Sequence, residues 1–111
     1  SQVMPKDLSR QKDIEQGIIK VANDVIDRLS RHHQKAGRIR LGLGYANGVT
    51  DENGRTSYSH EITIEPTAER KLLIDHLLGI FHQAWSGVAV RNISVALSRL
   101  SDANTQQISL F

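Results

Sequence analysis

A change of hydrophobic period constrains this chain more than any other feature. In "RIRLGLGY" (38–45), Ile39, Leu41, Leu43 and Tyr45 alternate strictly with Arg38, Arg40, Gly42 and Gly44. A half-buried strand satisfies that period of two and a helix does not. Upstream, Ile14, Ile18, Val21, Ala22, Val25 and Leu29 recur at the spacing of one helical face, the stripe of an amphipathic helix packed on a core. The two patterns predict a helix over about 11–33, with Gly37 just beyond its end, followed by a strand. Gly17 inside the helix costs roughly 1 kcal/mol relative to Ala, which a long apolar stripe can offset.

The same switching recurs downstream. "ANGVTDENGR" holds two Asn-Gly pairs, the strongest short signal for a hairpin connection. "TSYSHEITIE" then alternates again, Tyr58, His60, Ile62 and Ile64 against Ser57, Ser59, Glu61 and Thr63, as the antiparallel partner of the first alternating run. Pro66 is expected to stop that strand and Thr67 to cap a second helix, in which Leu73, Leu77, Ile80, Phe81 and Ala84 fall at helical spacing up to about Trp85. "VRNISVALSRL" alternates once more after Gly87, and "SQVMPKDL" at the front is a weaker strand. The order is βαββαβ, an α+β arrangement of a four-stranded sheet with both helices packed on one face. Many unrelated functions use such a module.

At 111 residues, 39% hydrophobic and 23% charged, the chain makes one globular domain with a small core. Residues 1–101 are read as that domain and residues 102–111 as a flexible tail. The absence of cysteine rules out a disulfide frame or thiolate zinc site and favours a reducing cytoplasm. No apolar run approaches the ~20 residues that cross a bilayer, and "SQVMPKD" lacks the features of a signal peptide. The first residue is Ser and "QVM" already starts a strand, as expected of a chain cut from a longer one.

Charge is arranged rather than abundant, with a formal net charge of +2. Between Asp27 and Asp51 no acid occurs, while Arg28, Arg31, Lys35, Arg38 and Arg40 all do, beside His32 and His33. The first three suit the C-terminal end of a helix dipole. Arg38 and Arg40 lie on the sheet face that the helices leave open, with Gly42, Gly44, Ser57, Ser59, Thr63, Asn92, Ser94, Ser98 and a single acid, Glu61. Glycines and small hydroxyls let a backbone approach and arginines neutralise phosphate, so the face suits a nucleic-acid backbone. The competing reading is an ordinary solvated face. Without aromatic residues to stack bases, duplex contact fits better than single-strand or RNA binding.

No catalytic constellation stands out. His76 and His82 are six apart, off a common helical face, and His32 and His33 are adjacent, so no metal site is expected. The glycines of "GLGYANG" lie in a strand leading to a turn rather than before a helix N-terminus, unlike a dinucleotide loop. There is no G-x-S-x-G elbow, and Asp51 and Glu52 sit beside Asn53-Gly54, where acids are favoured by turn conformation.

The pieces "GRIRLGLGYANG", "YSHEITIEPT", "VAVRNISVALSRL" and "QISLF", in that order and spacing, resemble the C-terminal part of bacterial Y-family translesion DNA polymerases, closest to the UmuC-like UV-repair group. The resemblance covers nearly the whole chain. It implies the little-finger domain of an error-prone lesion-bypass polymerase of the SOS type, whose sheet rests on duplex primer-template DNA. The DNA contacts it implies are Arg38, Arg40, Gly42, Ser57, Ser59, His60, Arg91, Ser94 and Ser98. The family often carries Ser-Arg where this chain has Ser59-His60, which makes His60 the weaker contact. It implies no catalytic residue and no cofactor here, because magnesium would belong to the palm domain upstream.

The ending "QISLF" resembles the pentapeptide by which bacterial polymerases dock on the polymerase III beta sliding clamp, with Ile108 in place of the usual Leu. Gln107, Ile108, Ser109, Leu110 and Phe111 would be the clamp contacts. A polar lead, an amide that hydrogen-bonds and a Leu-Phe pair for an apolar pocket suit that task. The other readings are a tail folded on its own sheet edge, a stand-alone RNA- or protein-binding module of split βαβ type, and a small enzyme of ferredoxin-like fold.

Overall fold

A computed structural model describes residues 2–103. In chain order the elements are β1 (Gln2–Leu8), α1 (Gln11–Arg31), β2 (Gln34–Tyr45), β3 (Ser57–Thr67), α2 (Arg70–Ala84) and β4 (Val90–Asp102). They form one antiparallel sheet in the order β1-β4-β2-β3. Strand β2, the sequence's clearest alternation, is central and pairs along most of its length with both β3 and β4.

One face of the sheet holds the core. Ile39, Leu41 and Leu43 of β2 and Ile93 of β4 are buried with Ile14, Ile18, Ala22 and Ile26 of α1 and Leu73, Leu77 and Phe81 of α2, so both helices lie on that side. Phe81 is fully buried and stacks on Trp85 at 5.2 Å, while the Trp85 indole N–H donates to the Val88 carbonyl at 2.9 Å. Exposed polar links align the two helices: Arg70 donates to Asn23 and Asp27 at 2.7 and 2.6 Å, and His82 bonds Glu15. Such links on a wet surface fix register more than they stabilise.

Several boundaries differ from the sequence reading, each for a physical reason. Helix α1 stops at Arg31 because His33 turns to a left-handed backbone, φ 52°, and Gly37 consequently lies inside β2. Pro66 does not stop β3, which runs on to Thr67. That strand is at the sheet edge, where a residue with no N–H leaves no ladder bond unmade. The cap of α2 is Glu69; the Thr67 hydroxyl instead accepts the Glu69 N–H at 3.0 Å. On α1 it is Ile26 that is buried, whereas Val25 is only half-buried at the side of the core. Both Asn-Gly pairs turn the chain between β2 and β3: Gly48 and Gly54 adopt φ 78° and 76°, and Asp51 Oδ1 accepts the N–H groups of Asn53 and Arg55. Among the described residues no helix is long and apolar enough to cross a membrane.

Candidate nucleic-acid interface

The face away from the helices is a grid fixed by strand register. Along β2, Arg38 lies between Ser98 of β4 and Thr63 of β3, Arg40 between Ala96 and Glu61, Gly42 between Ser94 and Ser59, and Gly44 between Asn92 and Ser57. Directly paired residues share a face. The register therefore brings Arg38, Arg40, Gly42, Ser57, Ser59, Ser94 and Ser98 together on one surface.

Of the rest of the expected set, His60 falls outside it and Arg91 is not assigned to it by the register. His60 is paired with Leu41, which places it on the helix-bearing side at the exposed edge strand, next to Tyr58 at a ring separation of 6.4 Å. The period of two groups His60 with Tyr58, and only the family resemblance puts it among the contacts. Arg91 is exposed where the β2–β4 register slips between Gly44 and Tyr45. That irregularity breaks the alternation that would have fixed its face.

The two arginines differ electrostatically. Arg38 lies 3.7 Å from the Glu61 carboxylate and donates to Thr63 Oγ1 at 3.4 Å, so part of its charge is already balanced. Arg40 donates its Nε–H to Ser59 Oγ at 2.9 Å and has no carboxylate within 4.0 Å among the described residues. Because Ser59 accepts that bond, its own hydroxyl proton remains for an anionic oxygen. The balancing role of Glu61 on Arg38 was not evident from sequence. Alternation placed the acid on the right face, but a diagonal contact depends on side-chain reach.

Past Arg40 the surface flattens into a shallow hollow of about 220 Å³ lined by Gly42, Gly44, Ser57, Ser59, Asn92 and Ser94. The two glycines make room there. A Cβ on Gly42 would come within 2.4 Å of Ser94 Oγ, and one on Gly44 within 3.0 Å of Asn92 Cβ. Asn92 Oδ1 is buried without a hydrogen-bond partner among the described residues. Guanidinium, hydroxyl and amide groups over a flat backbone can hold an anionic polymer at several points without reading its sequence. The described residues contain no His, Asp and Glu group arranged to hold a metal ion. Gln107, Ile108, Ser109, Leu110 and Phe111 lie outside the described residues.

Comparison with known proteins places this geometry. UvrX of Bacillus subtilis (strain 168), whose name assigns it to UV-damage repair, is 34% identical over 112 residues. The alignment takes in all of this chain and 26% of that relative's length. A solved complex of beta-clamp processivity factor and the little finger domain of PolIV superposes with a TM-score of 0.65, over 98% of this chain and 93% of the other, at 16% identity. A likeness at that identity establishes the fold. The model of the impB/mucB/samB family C-terminal domain matches residues 1–110, and the chain belongs to that family.

Proposed function

We propose that this domain is the DNA-contacting C-terminal part of an error-prone translesion DNA polymerase. Its open sheet face grips the phosphate backbone of duplex primer-template DNA and its last residues tether the enzyme to the ring-shaped sliding clamp. One observation supports the grip above others: Arg38 and Arg40 rise from the central strand on the helix-free face, flanked by Ser59, Thr63 and Ser98 across both neighbouring strands. Ser94 and Ser57 extend the hydroxyls along the glycine column. Phosphate contacts of this kind set position and supply salt-dependent affinity without base reading. Family membership and likeness to UvrX support the repair setting.

In this reading nucleotidyl transfer, with its magnesium ions, belongs to the palm of the longer polymerase. The domain itself neither binds nucleotide nor extends a primer. Residues 1–101 form the DNA-binding unit, residues 102–111 bear the clamp motif, and the enzyme works in the cytoplasm. The test is a titration of a labelled random-sequence duplex with the chain, followed by anisotropy at several salt concentrations. We expect weak, strongly salt-dependent binding with no preference between sequences. Salt-independent or sequence-selective binding would overturn the assignment of the sheet as the DNA surface.

A further inference from the structure

Within β2 the alternation of faces reverses once. From Arg38 to Tyr45 the even-numbered residues lie on the open face and the odd-numbered ones in the core. Continued backwards, that order would put Lys35 under the helices and Ala36 in the open. The structure does the opposite. Ala36 is fully buried in the core cluster, and Gln34 lines the groove beneath α1 with Val25, Leu29 and Leu100. Leu100 is directly opposite Ala36, and Ser101 is opposite Lys35. Alternate residues of a strand share a face, as do directly paired ones, so Lys35 and Ser101 stand on the open face.

The cause lies between Ala36 and Arg38. On one side Arg99, which separates their partners Leu100 and Ser98 on β4, turns left-handed at φ 52°. On the other the β2–β3 register slips, from Thr63 opposite Arg38 to Thr67 opposite Ala36. An irregularity of this kind re-aims the side chains beyond it. We propose that Lys35, re-aimed in this way, is a further phosphate contact of the DNA-gripping face, so that Lys35, Arg38 and Arg40 form a row of cations about 16 Å long on the central strand. Duplex DNA carries one charge per about 1.7 Å of its axis, so a row of that length passes several phosphates. Lys35 has no carboxylate within 4.0 Å among the described residues, which leaves its charge as available as that of Arg40. Each of the three cations also stands beside a hydroxyl: Lys35 by Ser101, Arg38 by Ser98 and Thr63, and Arg40 by Ser59. The helix dipole does not claim Lys35, because α1 ends at Arg31 and the effect fades within the last turn.

This contact rests on the proposed function above, and salt titrations of a random-sequence duplex separate the two. The proteins to compare are the native chain, Arg40→Ala, Lys35→Gln, Lys35→Arg and the double variant Gln34→Lys/Lys35→Gln, which keeps the net charge but moves the cation to the helix side. We expect Lys35→Gln to weaken binding several-fold at low salt and to flatten the slope of log K against log salt by about one unit. Lys35→Arg should keep the native slope, which shows that position 35 tolerates substitution, and the double variant should behave like Lys35→Gln. A native slope in Lys35→Gln overturns the contact: if Arg40→Ala flattens the slope in the same series, the open face stands as the DNA surface without Lys35, and if it does not, that reading falls too. A native slope in the double variant also overturns the contact, because net charge rather than the face would then govern binding. Absence of salt-dependent binding by the native chain removes the proposed function and this contact with it.

Discussion

Ser94 Oγ lies over Gly42 so closely that a methyl group there would meet it at 2.4 Å. The hydroxyl can rotate away about χ1, so Gly42→Ala should cost the fold less than ~1 kcal/mol while moving a proposed phosphate contact. We expect duplex affinity to fall several-fold with little change in Tm. On a Ser94→Ala background the same substitution should do much less, because the displaced group is already gone. Additive losses in this double-mutant cycle would show that the hydroxyl over Gly42 plays no part in binding.

The arginines should separate in salt titrations. Arg40 has no carboxylate partner among the described residues, so Arg40→Ala should flatten the slope of log K against log salt by about one unit. Arg38 is partly balanced by Glu61 at 3.7 Å, and Arg38→Ala should flatten it less. Glu61→Gln should steepen it. Equal slopes for the two arginine variants would mean that the Glu61 contact does not persist in solution.

The helix-to-helix link between Glu15 and His82 gives a pH signature. The His82 hydrogen bond, followed by that of Gln11, holds the Glu15 carboxyl below its ordinary value of 4.5. A depressed folded-state value means that the group's contribution is present above about pH 4.5 and is lost as the pH falls through the lower folded value. The Tm difference between the native chain and Glu15→Gln should therefore be small, since the pair is exposed, and should shrink between pH 6 and pH 3. A difference constant across that range would contradict the assignment.

For the tail, Leu110→Ala and Phe111→Ala should each weaken clamp binding more than Ile108→Ala or Ser109→Ala, with Gln107→Ala between them. Binding of the intact chain should be micromolar, on the order of 8 kcal/mol. Calorimetry at fixed salt, with a version lacking residues 107–111 as the control, measures all of these. Equal affinity for the intact and shortened chains would remove the tail as tether.

Phe81 anchors the core beneath the sheet. Fully buried and stacked on Trp85, it should cost about 3–5 kcal/mol on replacement by Ala, read as a fall in the urea midpoint. A loss below 1 kcal/mol would mean that the two helices repack around the gap.

The order of elements and the chemistry of the open face could be read from sequence because periodicity is local. Whether Ile39 and Arg40 point to opposite sides depends only on adjacent backbone dihedrals, and the alternation of 38–45 states it directly. Long-range pairing is a different kind of information. That Arg40 bonds Ser59 while Glu61 turns to Arg38, and that His60 sits across from Leu41, follow from the register between β2 and β3. Register is set by how the whole apolar face fits α1 and α2. Pro66 ends a strand by its local rule, yet it stays in β3 because tertiary structure puts that strand at an edge. The irregular pairing of β4 with β2 was equally hidden: residues 90–92 alternate like the rest of the strand, and only the tertiary register, slipping between Gly44 and Tyr45, sets Val90 opposite Tyr45.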